Sequence, residues 1–387
     1  MSQPAMEHPA VPTSPAPRPA VGAVGAIGAV GARLHVDLDA VAANTALFAA
    51  RTPGALMAVV KADGFGHGAA AVARTALAHG ASWLGVTSLD EALALRADGV
   101  RAPVLSWLNP VEADFTAAIG HQVDVAVPSA AHLAALTRAG LGARVHLHLD
   151  TGMARDGSAP SDWAALCRAA RRAERAGQVR VVGVMGHLGC ADVPEDPANA
   201  AARTVFTWGL GVARAAGLRP PLRHLAATAA TLTDPAALHT MSRVGAGLVG
   251  IDPSGSTRLS PALTLTAPVV GVRRVASGTA VGYGHAWSAD RPTTLALLPL
   301  GYADGLPRAT SGRAEVALRG RRHPVVGRIS MDQVVVDVGD QPVQPGDVAT
   351  VFGPGHAGEP TVADWAAWAD TIEHEIVTGI GARVARS

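Results

Sequence analysis

This chain has almost no lysine. Lysine and arginine together number 32, and Lys61 is the only lysine among them. Cysteine is nearly as scarce. Cys167 and Cys190 form no disulfide framework, and a reducing compartment such as the cytoplasm is the simplest reading. Aromatic residues make up 4% of the chain, with only two tyrosines, Tyr283 and Tyr302. Charge of either sign is balanced, 32 Lys+Arg against 31 Asp+Glu. No basic excess is left to grip nucleic acid or an anionic membrane. Beyond the first 32 residues no apolar run is long enough to span a bilayer.

What is present points to a large folded chain. Its 387 residues are 49% hydrophobic, enough for a sizeable core. The length suits two domains, or one large barrel with an appendage. Residues 1–32 stand apart, rich in Pro, Ala, Gly and Val. Glu7, Arg18 and the glycine at every third position from Gly22 to Gly31 weaken a signal-peptide reading, so the segment reads as a disordered tail.

After the tail, Leu34–Leu38 reads as a strand, and Asp39 is placed to cap the helix that follows. A rhythm then begins. Apolar strand candidates fall at Leu56–Val60, Trp83–Val86, Val104–Leu108, Val123–Val127, Val145–Leu149, Val179–Met185, Leu222–Ala226 and Met241–Val244. Alanine-rich segments of helical spacing lie between most of them. Three run from serine to glycine: Ser88 to Gly99, Ser129 to Gly140, Ser161 to Gly177. Eight strands alternating with helices predict an α/β fold, a (β/α)8 TIM-like barrel over residues 33–260. A doubly wound open sheet is the alternative, which the lack of a G-x-G-x-x-G turn after the first strand modestly disfavours. From Pro261 strand-like runs follow one another, and only Val362–Ala369 looks helical. Residues 261–387 therefore read as a mostly β C-terminal domain.

In such a barrel, functional side chains collect at the carboxyl ends of the strands. Lys61 follows the first strand, in Val60-Lys61-Ala62-Asp63-Gly64-Phe65-Gly66-His67-Gly68. A lysine at the mouth of a buried strand is poorly solvated, so its neutral amine can attack a carbonyl. Arg155 follows the fifth strand, in Asp150-Thr151-Gly152-Met153-Ala154-Arg155, where a guanidinium can hold a carboxylate in a fork. His187 follows the sixth, Thr228 the seventh, and Arg243 the eighth. Gly245 and Ala246 then offer backbone N–H groups suited to a phosphate. His146 and His148 alternate along one strand, but no third ligand lies near in sequence, so no metal site is expected.

The Lys61 string, the D-T-G-M-x-R string and Gly327-Arg328-Ile329-Ser330-Met331-Asp332-Gln333 resemble the motifs of the alanine racemases. The resemblance covers nearly all of residues 33–387. It implies that Lys61 carries pyridoxal 5'-phosphate as a Schiff base and that L- and D-alanine are interconverted by two bases. Lys61 is one base, and Tyr283, in Gly282-Tyr283-Gly284, is the other. By the same resemblance Arg155 contacts cofactor and substrate carboxylate, and Arg243 donates to the pyridine nitrogen with His187 in support. Thr228, Gly245, Ala246 and His374 fall at phosphate contacts, Trp107 flanks the ring, and Tyr302, Met331 and Asp332 line the substrate side. In the family the residues of the second domain come from a partner subunit, which implies a head-to-tail homodimer.

The departures from the family pattern gather at the same place. Phe65 and His374 replace two phosphate-binding tyrosines, and Val249 replaces a larger residue. His148 stands where many members carry a carbamylated lysine, whose negative charge an imidazole cannot supply. These changes leave open a specialised racemase for another small amino acid such as serine, or a non-catalytic cofactor-binding protein. A decarboxylase is disfavoured by Arg243, because related decarboxylases place a carboxylate there.

Overall fold

The computed structural model describes residues 31–387. All but the last two residues of the expected tail lie outside the described residues. Strand β1 (Arg33–Val36) leads straight into the helix Leu38–Arg51. Asp37, not Asp39, caps this helix, accepting from the N–H groups of Asp39 and Ala40 at 2.9 and 3.0 Å. Asp39 sits one step too late for that role. Its carboxylate lies instead in the first turn, against the positive end of the helix.

Eight parallel strands follow. They are β2 (Ala55–Val59), β3 (Trp83–Val86), β4 (Val104–Ser106), β5 (Val123–Val127), β6 (Ala143–His148), β7 (Val179–Met185), β8 (Leu222–His224) and β9 (Met241–Val244). Parallel neighbours need crossover connections, and helices supply them. The strands are ordered β8-β7-β6-β5-β4-β3-β2-β9, so β8 and β9 meet at the seam. There Arg243 N donates to Ala226 O at 3.0 Å and Thr240 N to Arg223 O at 3.2 Å, nearly closing the ring. The strands read as continuous apolar runs because they are covered on both faces. All five residues of β5 are buried, including Asp124. Ser88 and Ser129 cap their helices as their positions suggested. The third of these helices begins at Pro160, ahead of Ser161, with proline in its first turn where no N–H is missed.

The C-terminal part is built on β10 (Leu263–Pro268), β11 (Gly271–Val275), β12 (Ala280–Val281), β13 (Trp287–Ser288), β14 (Thr293–Leu298), β15 (Glu315–Leu318), β16 (Arg321–Val326), β17 (Val334–Gly339), β18 (Val348–Phe352) and β19 (Ala385–Arg386). Nine strands pair in the order β11-β14-β17-β16-β15-β18-β10-β1-β19, and β12 and β13 form a separate ribbon. Strand β1 precedes the barrel in sequence yet pairs antiparallel with β10 and parallel with β19. A second helix, Glu373–Gly379, follows Val362–Ala369, where only one was expected. It packs on the loop after Lys61: a Cβ at Gly66 would lie 2.6 Å from Val377 O.

One hydrophobic cluster runs through both parts and includes Leu34, Phe48, Leu263 and Phe352. Phe48 is fully buried on the first helix and packs under the turn Ala246–Val249. A Cβ at Gly247 would lie 2.4 Å from its ring, so glycine is what admits the aromatic there. Replacing Phe48 with alanine should destabilise the protein by about 3–5 kcal/mol, the range for deleting a buried aromatic. The measurement is urea unfolding, and a midpoint within error of the parent would show that the turn rests on something else.

Candidate active site

Lys61 leaves the carboxyl end of β2 on an unusual turn. Ala62, Asp63, Gly64, Phe65 and Gly66 take successive φ values of 51°, 53°, 62°, 58° and 81°. Three of these residues are not glycine, and each pays roughly 1–2 kcal/mol to be left-handed. Hydrogen bonds offset that strain. Glu91 Oε1 accepts from Ala62 N at 2.7 Å, while its Oε2 accepts from Thr87 N at 2.7 Å. Asp63 Oδ1 accepts from Ala69 N at 2.8 Å. Inside the turn Gly64 N donates to Val60 O and Gly66 N to Ala62 O, both at 2.9 Å. Burial lowers the Lys61 amine below its ordinary range, nearby Arg155 lowers it further, and Glu91 opposes both.

Arg155 sits on the loop after β6. Asp150 Oδ1 gathers the N–H groups of Gly152, Met153 and Ala154 at 2.9, 3.0 and 3.2 Å, which fixes the loop while Arg155 stays exposed. Thr151 ties the same loop to His187 O at 2.5 Å. His148, at the end of β6, points its Nδ1 toward Asp156 Oδ2 at 3.4 Å. The contact is an ion pair in distance and not a hydrogen bond in geometry, and Nδ1 has no hydrogen-bond partner among the described residues. His148 nevertheless holds the Asp156 carboxyl below its usual range. The negative charge that His148 cannot supply is therefore present one residue after Arg155.

Arg243 lies within β9, not past its end, and its guanidinium is buried in the barrel. Nη1 donates to His224 Nδ1 at 3.0 Å and His224 O at 2.8 Å. Nη2 donates to Gly186 O at 2.7 Å and lies 3.2 Å from His187 Nδ1. Burial pulls this guanidinium down to about 10, still far above neutrality. His187 is pushed down to about 3 by burial first, then by Arg243 and Arg155. Thr228 Oγ1 accepts from Gly247 N at 3.2 Å and Gly245 N at 3.4 Å, so it fixes the turn after β9. Phe65 and His374 face each other with ring centroids 6.1 Å apart.

These side chains share one cavity of about 540 Å³ at the barrel mouth. Lys61, Trp107, Arg155, His187, Thr228, Arg243, Gly245, Ala246 and His374 all line it. The other four expected residues do not. Tyr283, Tyr302 and Met331 are 72%, 41% and 51% exposed on the β part. Tyr302 N donates to Ser330 O at 3.0 Å, and Asp332 pairs with Arg383 at 2.8 Å. These contacts gather a second group of residues apart from the cavity.

Comparison with known proteins decides the family. Residues 36–253 match the alanine racemase N-terminal domain and residues 262–387 the C-terminal domain. The chain belongs to the alanine racemase family. An alanine racemase of Thermobifida fusca (strain YX) is 48% identical over 363 residues, 92% of this chain and 97% of the relative. The crystal structure of alanine racemase from D-cycloserine producing Streptomyces lavendulae aligns with a TM-score of 0.90 at 42% identity. It covers 92% of this chain and 97% of that one. Alanine racemase from Streptomyces coelicolor A3(2) gives 0.89 at 44% identity, with the same coverage.

Within this alanine racemase fold, four residues escaped the sequence reading. Glu91 completes the cap of the helix that starts after Ser88 and is also the anchor of the Lys61 turn. Asp156 follows Arg155 directly, but spacing did not join it to His148. His224 lies in the apolar run Leu222–Ala226, yet its contact with Arg243 depends on barrel closure. Asp124 sits in an apolar run and reads as core.

Because the chain has a single lysine, its amine can be titrated alone. Reductive methylation with ¹³C-formaldehyde should give one dimethyl-lysine signal, distinct from the amino terminus. It should titrate below 10.5, the ordinary lysine value. Glu91→Gln removes the one charge that raises this pKa and should move the midpoint lower still. A midpoint at or above the ordinary value in the parent would show that the amine is not desolvated.

Proposed function

We propose that the chain interconverts L- and D-alanine with pyridoxal 5'-phosphate held at the barrel mouth. The observation that carries this reading is the placement of the only lysine. Its desolvated amine shares a cavity with a buried guanidinium, an exposed guanidinium and a hydroxyl-capped glycine turn. This donor set fits the cofactor. Lys61 would hold its aldehyde carbon, and Thr228 with the N–H groups of Gly245 and Ala246 would hold its phosphate. Trp107 would flank the ring, and His374 stands in for a phenol at the phosphate. Phe65 offers no donor there, which narrows the phosphate contacts to the backbone, the hydroxyl and the imidazole.

When bound, the cofactor supplies an electron sink that acidifies the substrate Cα–H. Arg243 would donate to its ring nitrogen. A guanidinium gives up its proton far less readily than a carboxylic acid, so the sink stays moderate and proton exchange is favoured over bond loss to carbon dioxide. Arg155 would grip the substrate carboxylate from the loop that Asp150 and Thr151 hold in place. Lys61 and Tyr283 then act as the two bases on opposite sides of Cα: one takes the proton, and the other returns one to the far face. Lys61 serves the D enantiomer and Tyr283 the L enantiomer.

Tyr283 is exposed and outside the Lys61 cavity of its own chain. A second copy in a head-to-tail dimer would supply it, with Tyr302, Met331 and Asp332 beside it on the substrate side. Among the described residues no helix is long and apolar enough to cross a membrane, and the cytoplasm is the proposed location.

A chiral assay of the purified protein with cofactor, across alanine, serine and other L-amino acids, tests the reading. Alanine should give the highest turnover. Tyr283→Phe should still bind the cofactor through Lys61 and lose racemisation by roughly a hundredfold to ten-thousandfold, the contribution of a positioned acid–base group. Faster turnover of serine, or full activity in Tyr283→Phe, would overturn the substrate or the two-base scheme respectively.

A further inference from the structure

A chain of buried hydrogen bonds runs from the side of the barrel to Arg243. Arg144, partly exposed, donates from Nε to Asp124 Oδ1 at 2.8 Å. Asp124 Oδ2 lies 3.2 Å from His146 Nε2, and His146 Nδ1 lies 2.8 Å from His224 Nε2. His224 Nδ1 in turn faces Arg243 Nη1 at 3.0 Å. Asp124, His146 and His224 are each no more than 1% exposed.

The barrel is built around this chain. A Cβ on Gly183 would lie 2.1 Å from His146 Nδ1, so β7 has to be bare where the imidazole crosses it. The pairing of β6 with β7 shifts register between Val145 and His146, at the same place. Trp83 closes the far side, edge-on to His146 with centroids 5.7 Å apart. A polar chain in an apolar barrel is expensive unless every member is satisfied, and here each link has a partner.

Only one arrangement of protons satisfies all links. A guanidinium can only donate, so His224 Nδ1 must accept, and its proton sits on Nε2. His146 Nδ1 must then accept that proton, which leaves the His146 proton on Nε2, pointing at Asp124. A doubly protonated His146 would force a proton onto His224 Nδ1, directly against Arg243 Nη1. The Asp124 carboxylate is the end that sets the direction. Burial raises its carboxyl, but His146 and Arg144 outweigh that and hold it ionised. Burial and then Arg243 push His224 well below the ordinary histidine range, in line with a neutral ring.

We propose that Asp124 and His146 are positioning residues for Arg243. The carboxylate fixes both histidine tautomers, so His224 always presents an acceptor to Nη1. The remaining donor, Nε–H, makes no hydrogen bond within the protein among the described residues, and the chain holds it steady for the cavity. The catalytic consequence rests on the function proposed above; the proton positions do not.

Two measurements test this separately. Neutron diffraction from the deuterated holoenzyme should place deuterons on Nε2 of His146 and His224 and none on either Nδ1. A deuteron on either Nδ1 would overturn the assignment, whatever the enzyme's substrate. Asp124→Asn is isosteric, but while its oxygen accepts from Arg144 its amide must donate to His146 Nε2. That reverses both tautomers and sets two protons against each other at Arg243. The variant should keep its melting temperature within a few degrees and lose roughly tenfold to a hundredfold in kcat with little change in KM, as loss of an outer-shell partner does. Unchanged kcat would refute the positioning role. If Asp124→Asn fails to fold, Arg144→Met removes one of the two groups that hold the Asp124 carboxylate ionised and should lower kcat by roughly twofold to tenfold with little change in KM; a change in KM with kcat kept would refute the positioning role.

Discussion

A guanidinium buried inside a β-barrel must be surrounded by acceptors, and meeting that demand shapes much of this molecule. Arg243 takes carbonyls from Gly186 and His224 and the imidazoles of His187 and His224. Those carbonyls sit at the ends of β7 and β8, so the guanidinium also bridges neighbouring strands close to the barrel seam. The seam itself is held by few backbone bonds. A charge that organises the pocket therefore also helps to close the barrel that forms it.

The mouth carries a second tension, between strain and support. The residues after Lys61 wind left-handed, and no single neighbour stabilises that conformation. Glu91 reaches across from the helix after β3, and Ala69 N secures Asp63. From the other side the helix Glu373–Gly379 packs against Gly66 and delivers His374 to the cavity. The lysine is thus held in place by both parts of the chain. The β part contributes to the local site as well as carrying the exposed Tyr283.

The alternation of apolar strands and alanine-rich helices was readable because parallel barrel strands are buried on both faces and their caps are local. The residues past strand ends were readable for the same reason, since the strand boundary itself points to the site. The left-handed turn was not. Gly64, Gly66 and Gly68 announced a bend, but nothing local says that Ala62, Asp63 and Phe65 will share its hand. Asp124 and His224 were missed because their partners lie on other strands and meet only when the barrel forms. Asp156 was missed although it adjoins Arg155, because its role depends on His148 turning toward it. The helix Glu373–Gly379 is short and follows the β-branched Thr371 and Ile372, so local preference argued against it.

The lone amine at the barrel mouth has a consequence for the rest of the surface. An aldehyde in solution condenses with any accessible primary amine and discriminates poorly between them. Here every other fixed positive side-chain charge is a guanidinium, which forms no comparable adduct under mild conditions. Apart from the chain terminus, the protein offers a reactive carbonyl one landing place, and that place lies inside the pocket. Chemical selectivity that other chains obtain by making one lysine more reactive than its fellows is reached in this one by having no fellows at all.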